Sequence, residues 1–198
     1  MGDTEPGDKN LDDIIVNIRP GFDLAPSGEA LAQTEAALPL RRRNEYILAR
    51  ALATVADRYK WIVIDNSPGL GYLLTNAIVA SNFIIPPVNL DSLSVDGLTL
   101  FLSTLNSHKE DFEEEAADLL GVAITRADMR SILSNDVLEG LKARPELRTF
   151  ATIIPERVAV REASLMGKVV TEYAPDNPAA AAYVSLAAEI VARVRAAS

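Results

Sequence analysis

Asp65 closes the apolar run "WIVID" (61–65) and leads into Asn66, Ser67, Pro68 and Gly69. A carboxylate at the end of an apolar strand, with a proline-containing turn behind it, suits a magnesium ion or one of its waters. The same side chain can also simply cap the turn. Three further apolar runs end in residues of similar type: "FIIPPV" at Pro86-Pro87, "LLGVAIT" at Thr125-Arg126-Ala127-Asp128, and "FATIIP" at Pro155-Glu156-Arg157. In an open parallel sheet, ligands bind beyond the carboxyl ends of the strands, so these positions are the candidate site. A second set is cationic. Residues 142–168 carry six bases against three acids, and Arg144, Arg148, Arg157 and Arg161 could neutralise phosphates. His108 is the single histidine and there is no cysteine, so no metal site is expected and cysteine chemistry is excluded.

The elements that must position these groups follow from periodicity and punctuation. Residues 1–13 read as a flexible segment, "IIVNI" (14–18) and "FDLAPS" (22–27) as short extended pieces. Ser27 can cap a helix over 28–38 that Pro39 stops. Ile47, Leu48, Ala51, Leu52 and Val55 recur at spacings of three and four, predicting a helix over 42–58 with "RRR" (41–43) at its start. "WIVID" is continuous rather than alternating, the pattern of a strand covered on both faces, with Trp61 in the core. Helices are predicted over 71–81, 94–107, 131–143 and 158–166. Asn177 and Pro178 open a last helix running to 196. The second of these helices leaves His108 on the surface at its end. Strand and helix alternate from residue 61 onward. This predicts an α/β fold, a mostly parallel sheet with helices on both faces, in one domain over 14–198.

Composition agrees. The chain has 198 residues, 48% of them apolar, enough for a sizeable core. Its net charge of -9 argues against a surface that binds nucleic acid everywhere. The acidic run 110–118 reads as a solvated helix end. No apolar run reaches the roughly 18 residues a membrane span needs, and the polar N-terminus is no signal peptide.

From residue 59 onward the chain resembles the ParA/Soj branch of the ParA/MinD partition ATPases. "YKWIVIDNSPGLGYLLTNAIVAS" is similar to the family's strand, switch aspartate, turn and helix. "FIIPPVNLDSLSVDGLTLFLSTL", "LLGVAITRAD" and "FATIIPERVAVREASLMGKVVTEYAPDNPAAAAYVSLAAEI" resemble the blocks that follow, and "GFDLAPSGEALAQTEAAL" the segment between the two switches. The resemblance implies a P-loop NTPase-like fold. It makes Asp65 the second-switch aspartate, with no catalytic residue otherwise assigned. It places Thr125, Arg126, Asp128, Pro155 and Glu156 beside the adenine, and Arg157 and Arg161 where the family exposes bases to DNA. Ser67 stands where the family has the first of two prolines.

The family's lysine-bearing "KGGxGKT" loop is not among these 198 residues. "GDTEPGDK" (2–9) has two glycines at the right spacing but Asp8 in the lysine's place, and "LMGKVV" (165–170) lacks the upstream glycine. Backbone amides and a lysine are what hold the phosphates in such loops. The expectation is therefore a cytoplasmic, partly nucleoid-associated partition protein that is not a competent ATPase on its own. No cofactor is expected, with ATP and magnesium only where the loop is supplied elsewhere. The implied partners are a ParB-type adaptor or an intact ParA-like relative, non-specific DNA, a second copy, and no membrane. The alternative is a shortened or mis-started form of an ordinary partition ATPase.

Overall fold

The computed structural model describes residues 10–28, 30–67, 69–112 and 115–197. The chain divides into two compact units. One runs to Asn82 and takes in Thr104–Ala117; the other holds Phe83–Ser103 and the chain from Asp118 onward.

The first unit begins with a 3-10 turn at Leu11–Asp13, then the strands β1 (Val16–Arg19) and β2 (Phe22–Leu24). They form an antiparallel hairpin whose turn uses Gly21 at φ 76, a left-handed conformation cheap only for glycine. Helix α1 (Ala30–Ala37) gives way at Pro39 to a 3-10 turn, Leu38–Leu40. The expected long helix over 42–58 is realised only as α2 (Ile47–Ala53), flanked by 3-10 turns at Asn44–Tyr46 and Ala56–Arg58. Arg43 sits in the left-handed region at φ 52, which a helix cannot continue through. Three arginines at a helix start also oppose the positive end of its dipole. Helix α3 (Tyr72–Val79) follows and buries Leu74, Ala77 and Ile78.

Segment 61–65 departs most from expectation. It is not a strand, and no described residue pairs with it. Trp61 is 46% exposed and Val63 90%, so Trp61 is not a core residue. A strand buried on both faces needs a hydrogen-bonded neighbour at its edges and a cover above and below. Its composition meets that requirement; the described neighbourhood does not.

In the second unit the sheet forms as expected. Strands β3 (Phe83–Ile84) and β4 (Pro87–Val88) are separated by Pro86, which cannot donate to a ladder. Helix α4 (Ser92–Phe112) then passes from this unit into the first. Strands β5 (Asp118–Leu119) and β6 (Ala123–Ala127) run parallel to β3 and β4 respectively, and the links Leu120 N to Ile84 O and Ala123 N to Pro86 O join the two ladders. After helix α5 (Ile132–Lys142), strand β7 (Ile153–Pro155) pairs parallel to β6. Helices α6 (Val158–Leu165), α7 (Val170–Tyr173) and α8 (Pro178–Ala197) complete the chain. Asn177 caps α8 as expected, its Oδ1 accepting from Ala179 N at 3.0 Å.

Alternation along β6 supplies two cores, as expected for helices on both faces. Val122 and Ile124 pack with Leu98, Leu138 and Leu141 from α4 and α5. Ala123 packs with Phe150, Ile154 and Leu186, joined by Ile190 and Val194 of α8. His108 departs from its expected surface position because α4 continues to Phe112. The histidine lies inside the helix, with Nδ1 donating to Thr104 O at 2.8 Å and Nε2 2.9 Å from the Thr75 hydroxyl.

Candidate functional site

At the carboxyl ends of β4, β6 and β7, in the second unit, polar residues gather around a cleft of about 220 Å³. Arg126, the last residue but one of β6, takes φ 51, a left-handed conformation unusual for a residue with a side chain. Its guanidinium lies 3.8 Å from the Glu156 carboxylate, and Glu156 N donates to Ala127 O at 3.1 Å. The Thr125 hydroxyl donates to Asn89 Oδ1 at 3.2 Å. Asp128 accepts from Arg130 Nε at 2.8 Å, Arg130 Nη2 at 2.9 Å and Arg130 N at 3.2 Å. Those bonds, side-chain first, hold its carboxyl down to about 2. Pro155 stands opposite Ala127 in the ladder. The structure thus assembles Thr125, Arg126, Asp128, Pro155 and Glu156 at one sheet edge.

Three polar cleft residues escaped the sequence reading: Asn89, Asp91 and Ser134. The rule that found the others could have found the first two, since "NLD" directly follows the β4 run. Asp91 also caps α4, accepting from Ser94 N at 2.8 Å. The cleft is smaller than the roughly 300–1,000 Å³ of a typical small-molecule site, and its lining mixes hydrogen-bond donors and acceptors.

Asp65 belongs to the other unit. It is exposed, and it has no hydrogen bond or ion pair with any described residue. Pro68 and the segment 2–9 lie outside the described residues. Gly167, at φ 64, and Lys168 link the end of α6 to the single-turn α7, so the pair follows a helix rather than the strand that precedes a phosphate loop. Among the described residues no three His, Cys, Asp or Glu side chains converge on a metal-holding geometry.

The four arginines do not share one end of the sheet. Arg144 and Arg148 flank the 3-10 turn Pro145–Leu147, before β7 begins. Arg157 is the N-cap of α6 and Arg161 lies within it, both beyond the end of β7. Arg157 Nη1 donates to Glu156 O at 2.7 Å, beside the base-sized cleft.

A family described as AAA domain matches residues 3–117. The sporulation initiation inhibitor protein Soj of Bacillus subtilis is 32% identical over 182 residues, spanning 92% of this chain and 72% of that protein. The chain belongs to the ParA/MinD family of partition ATPases. The chromosome partitioning protein ParA of Caulobacter vibrioides is 29% identical, covering 93% of this chain and 70% of its own length. This family member spans 58% of the length of an uncharacterised Mycobacterium tuberculosis protein to which it is 33% identical over 93% of its own residues. Among solved structures, cobyrinic acid a,c-diamide synthase from Mycobacterium smegmatis, with bound ATP analogue and magnesium, is 30% identical with a TM-score of 0.69. That likeness covers 82% of this chain and 71% of the synthase. The ParA-like fold places the cleft where α/β sheets of this kind bind ligands, beyond the carboxyl ends of parallel strands. Among the described residues no helix is long and apolar enough to cross a membrane.

Proposed function

We propose that this polypeptide serves partition by association rather than by hydrolysing ATP on its own. It binds non-specific DNA through Arg144, Arg148, Arg157 and Arg161, and engages a ParB-type adaptor or an intact ParA-like relative, in the cytoplasm and at the nucleoid. The observation that carries this reading is Asp65, exposed and without a partner among the described residues. Phosphoryl transfer depends almost wholly on positioned charge, and these 198 residues bring neither a lysine loop nor a fixed carboxylate to a triphosphate.

A phosphate-release assay on the polypeptide alone tests the first half. The expected rate is far below that of an intact family member, and a comparable rate overturns the reading. Fluorescence anisotropy with duplex DNA tests the second half. If each arginine neutralises one phosphate, log K falls against log salt with a slope of about −3.6, reduced by about 0.9 per arginine removed. A slope of about −1.8 would mean that only the pair at one end of β7 engages the duplex. Absence of binding at low salt overturns it.

A second reading has its own support. The cleft at Arg126, Asp128 and Glu156 fits a base, and the M. smegmatis relative holds an ATP analogue with magnesium. On that reading this is a short form of an ordinary partition ATPase. Tight magnesium-ATP binding in a calorimetric titration would favour it over association alone.

A further inference from the structure

Before β7, at the opposite end of that strand from the base-sized cleft, the second unit holds a larger cavity of about 500 Å³. Its wall includes Lys142, Arg144, Arg148, Thr149 and Arg193. That volume suits a molecule of nucleotide size.

The charges are not all spent internally. Arg193 pairs with Glu189 at 2.8 Å, and Lys142 with Glu139 at 3.6 Å. Arg144 and Arg148 have no carboxylate partner among the described residues; Arg148 Nη1 only reaches Leu119 O at 3.4 Å. The C-terminal ends of α5 and α8 also meet the cavity, and each offers roughly half a negative charge. Two unpaired guanidinium groups exceed that.

Two further features mark the wall. Arg148 is held at φ 47, a left-handed conformation that persists only where the surroundings impose it. Here Arg193 imposes it: Nη1 donates to Arg148 O, and Nη2 to Thr149 O at 3.0 Å, while the guanidinium stacks 4.0 Å from the Phe150 ring. The Thr149 hydroxyl is buried with no hydrogen-bond partner, which is unfavourable unless something else supplies one.

We propose that this cavity binds a phosphorylated small molecule, with one phosphate held by the guanidinium groups of Arg144 and Arg148 and the Thr149 hydroxyl. Charge-assisted pairing of guanidinium with phosphate supplies the affinity and its geometry. The site is separate from the cleft at Arg126 and Glu156, but it shares Arg144 and Arg148 with the proposed DNA surface, and a DNA backbone phosphate would present the same chemistry.

The test is a calorimetric titration of the full chain with sodium pyrophosphate at low salt, with a short DNA duplex as a second arm. The expected result is pyrophosphate binding with Kd of about 1 mM or tighter. It should weaken about tenfold or more in an Arg144→Ala, Arg148→Ala double variant, and severalfold in Thr149→Val. It should be unchanged in Arg157→Ala. Thr149→Val removes a buried, unpaired hydroxyl and should fold at least as well as the parent, which guards against misfolding of the charge variants. Failure to bind pyrophosphate, binding of the duplex alone, or equal weakening by Arg157→Ala would each overturn the proposal.

Discussion

Asn76 offers the sharpest test of how the first unit is held together. It is 4% exposed, and its side-chain amide bridges three backbone groups. Oδ1 accepts from Leu48 N at 3.0 Å, at the start of α2. Nδ2 donates to Asn44 O at 2.8 Å and to Tyr72 O at 2.9 Å. Asn76→Leu keeps the approximate size and removes all three bonds. Tyr72 O can still take its helical bond within α3. Leu48 N, in the first turn of a helix, and Asn44 O have no such reserve. Each buried group left unpaired costs about 1–3 kcal/mol, and Asn44 and Leu48 are only half-buried, so the expected loss is about 2–4 kcal/mol. That is a large share of the roughly 5–15 kcal/mol that holds a domain folded. In a protein of this size it should lower Tm by about 4–16 °C. Urea denaturation followed by circular dichroism, on the parent, Asn76→Leu and Asn76→Asp, reads the effect. The aspartate keeps the acceptor for Leu48 N but loses the donor to Asn44 O, so it also should be destabilised. If Asn76→Leu unfolds within about 0.5 kcal/mol of the parent, the bridge does not hold Asn44–Leu48 in place and the reasoning fails.

Gly121→Ala should be among the most damaging small substitutions, costing about 2–4 kcal/mol by thermal unfolding, because the added methyl would overlap the carbonyl of Arg148 and crowd the Phe150 ring at 3.1 Å. Gly71→Ala should cost under about 1 kcal/mol, since there the obstacle is the movable carboxylate of Glu35. Burial would raise the Glu189 carboxyl, but the amides of Ala151 and Thr152 and the nearby Arg193 outweigh it and hold it below its usual 4.5. A depressed carboxyl stabilises above the unfolded value and loses that contribution as pH falls through the folded one. The stability gap between parent and Glu189→Gln, read from urea midpoints, should therefore narrow below about pH 4.5. Arg130→Ala should let the Asp128 carboxyl rise from about 2 towards 3.8, followed by NMR titration.

The second unit was largely legible in the sequence because its signals are local. "LLGVAIT" and "FATIIP" carry their own neighbours in the chain, and β6 finds β4 and β7 on either side. The strand-end rule located Thr125, Arg126, Asp128, Pro155 and Glu156 for the same reason. The first unit was less legible where its structure depends on partners. The run 61–65 announces burial, yet pairing depends on neighbours that its own residues do not specify. The helix expected over 42–58 starts late because of one left-handed residue, Arg43, which no periodicity reveals, and it ends early at Ala53. The surface reading of His108 failed because α4 runs on through a stretch whose charge suggested a helix end. The basic excess over 142–168 gave no sign that β7 separates its arginines.

Trp61 is the chain's single tryptophan, and it stands on the uncovered strip rather than inside a core. An indole in water emits at longer wavelength than one enclosed by apolar groups. The chain therefore carries a label-free fluorescent reporter at a stretch that is built for cover and lacks it among the described residues. Any adaptor, relative or second copy that lies across 61–65 should shift that emission to the blue, and anything that docks elsewhere should leave it unmoved.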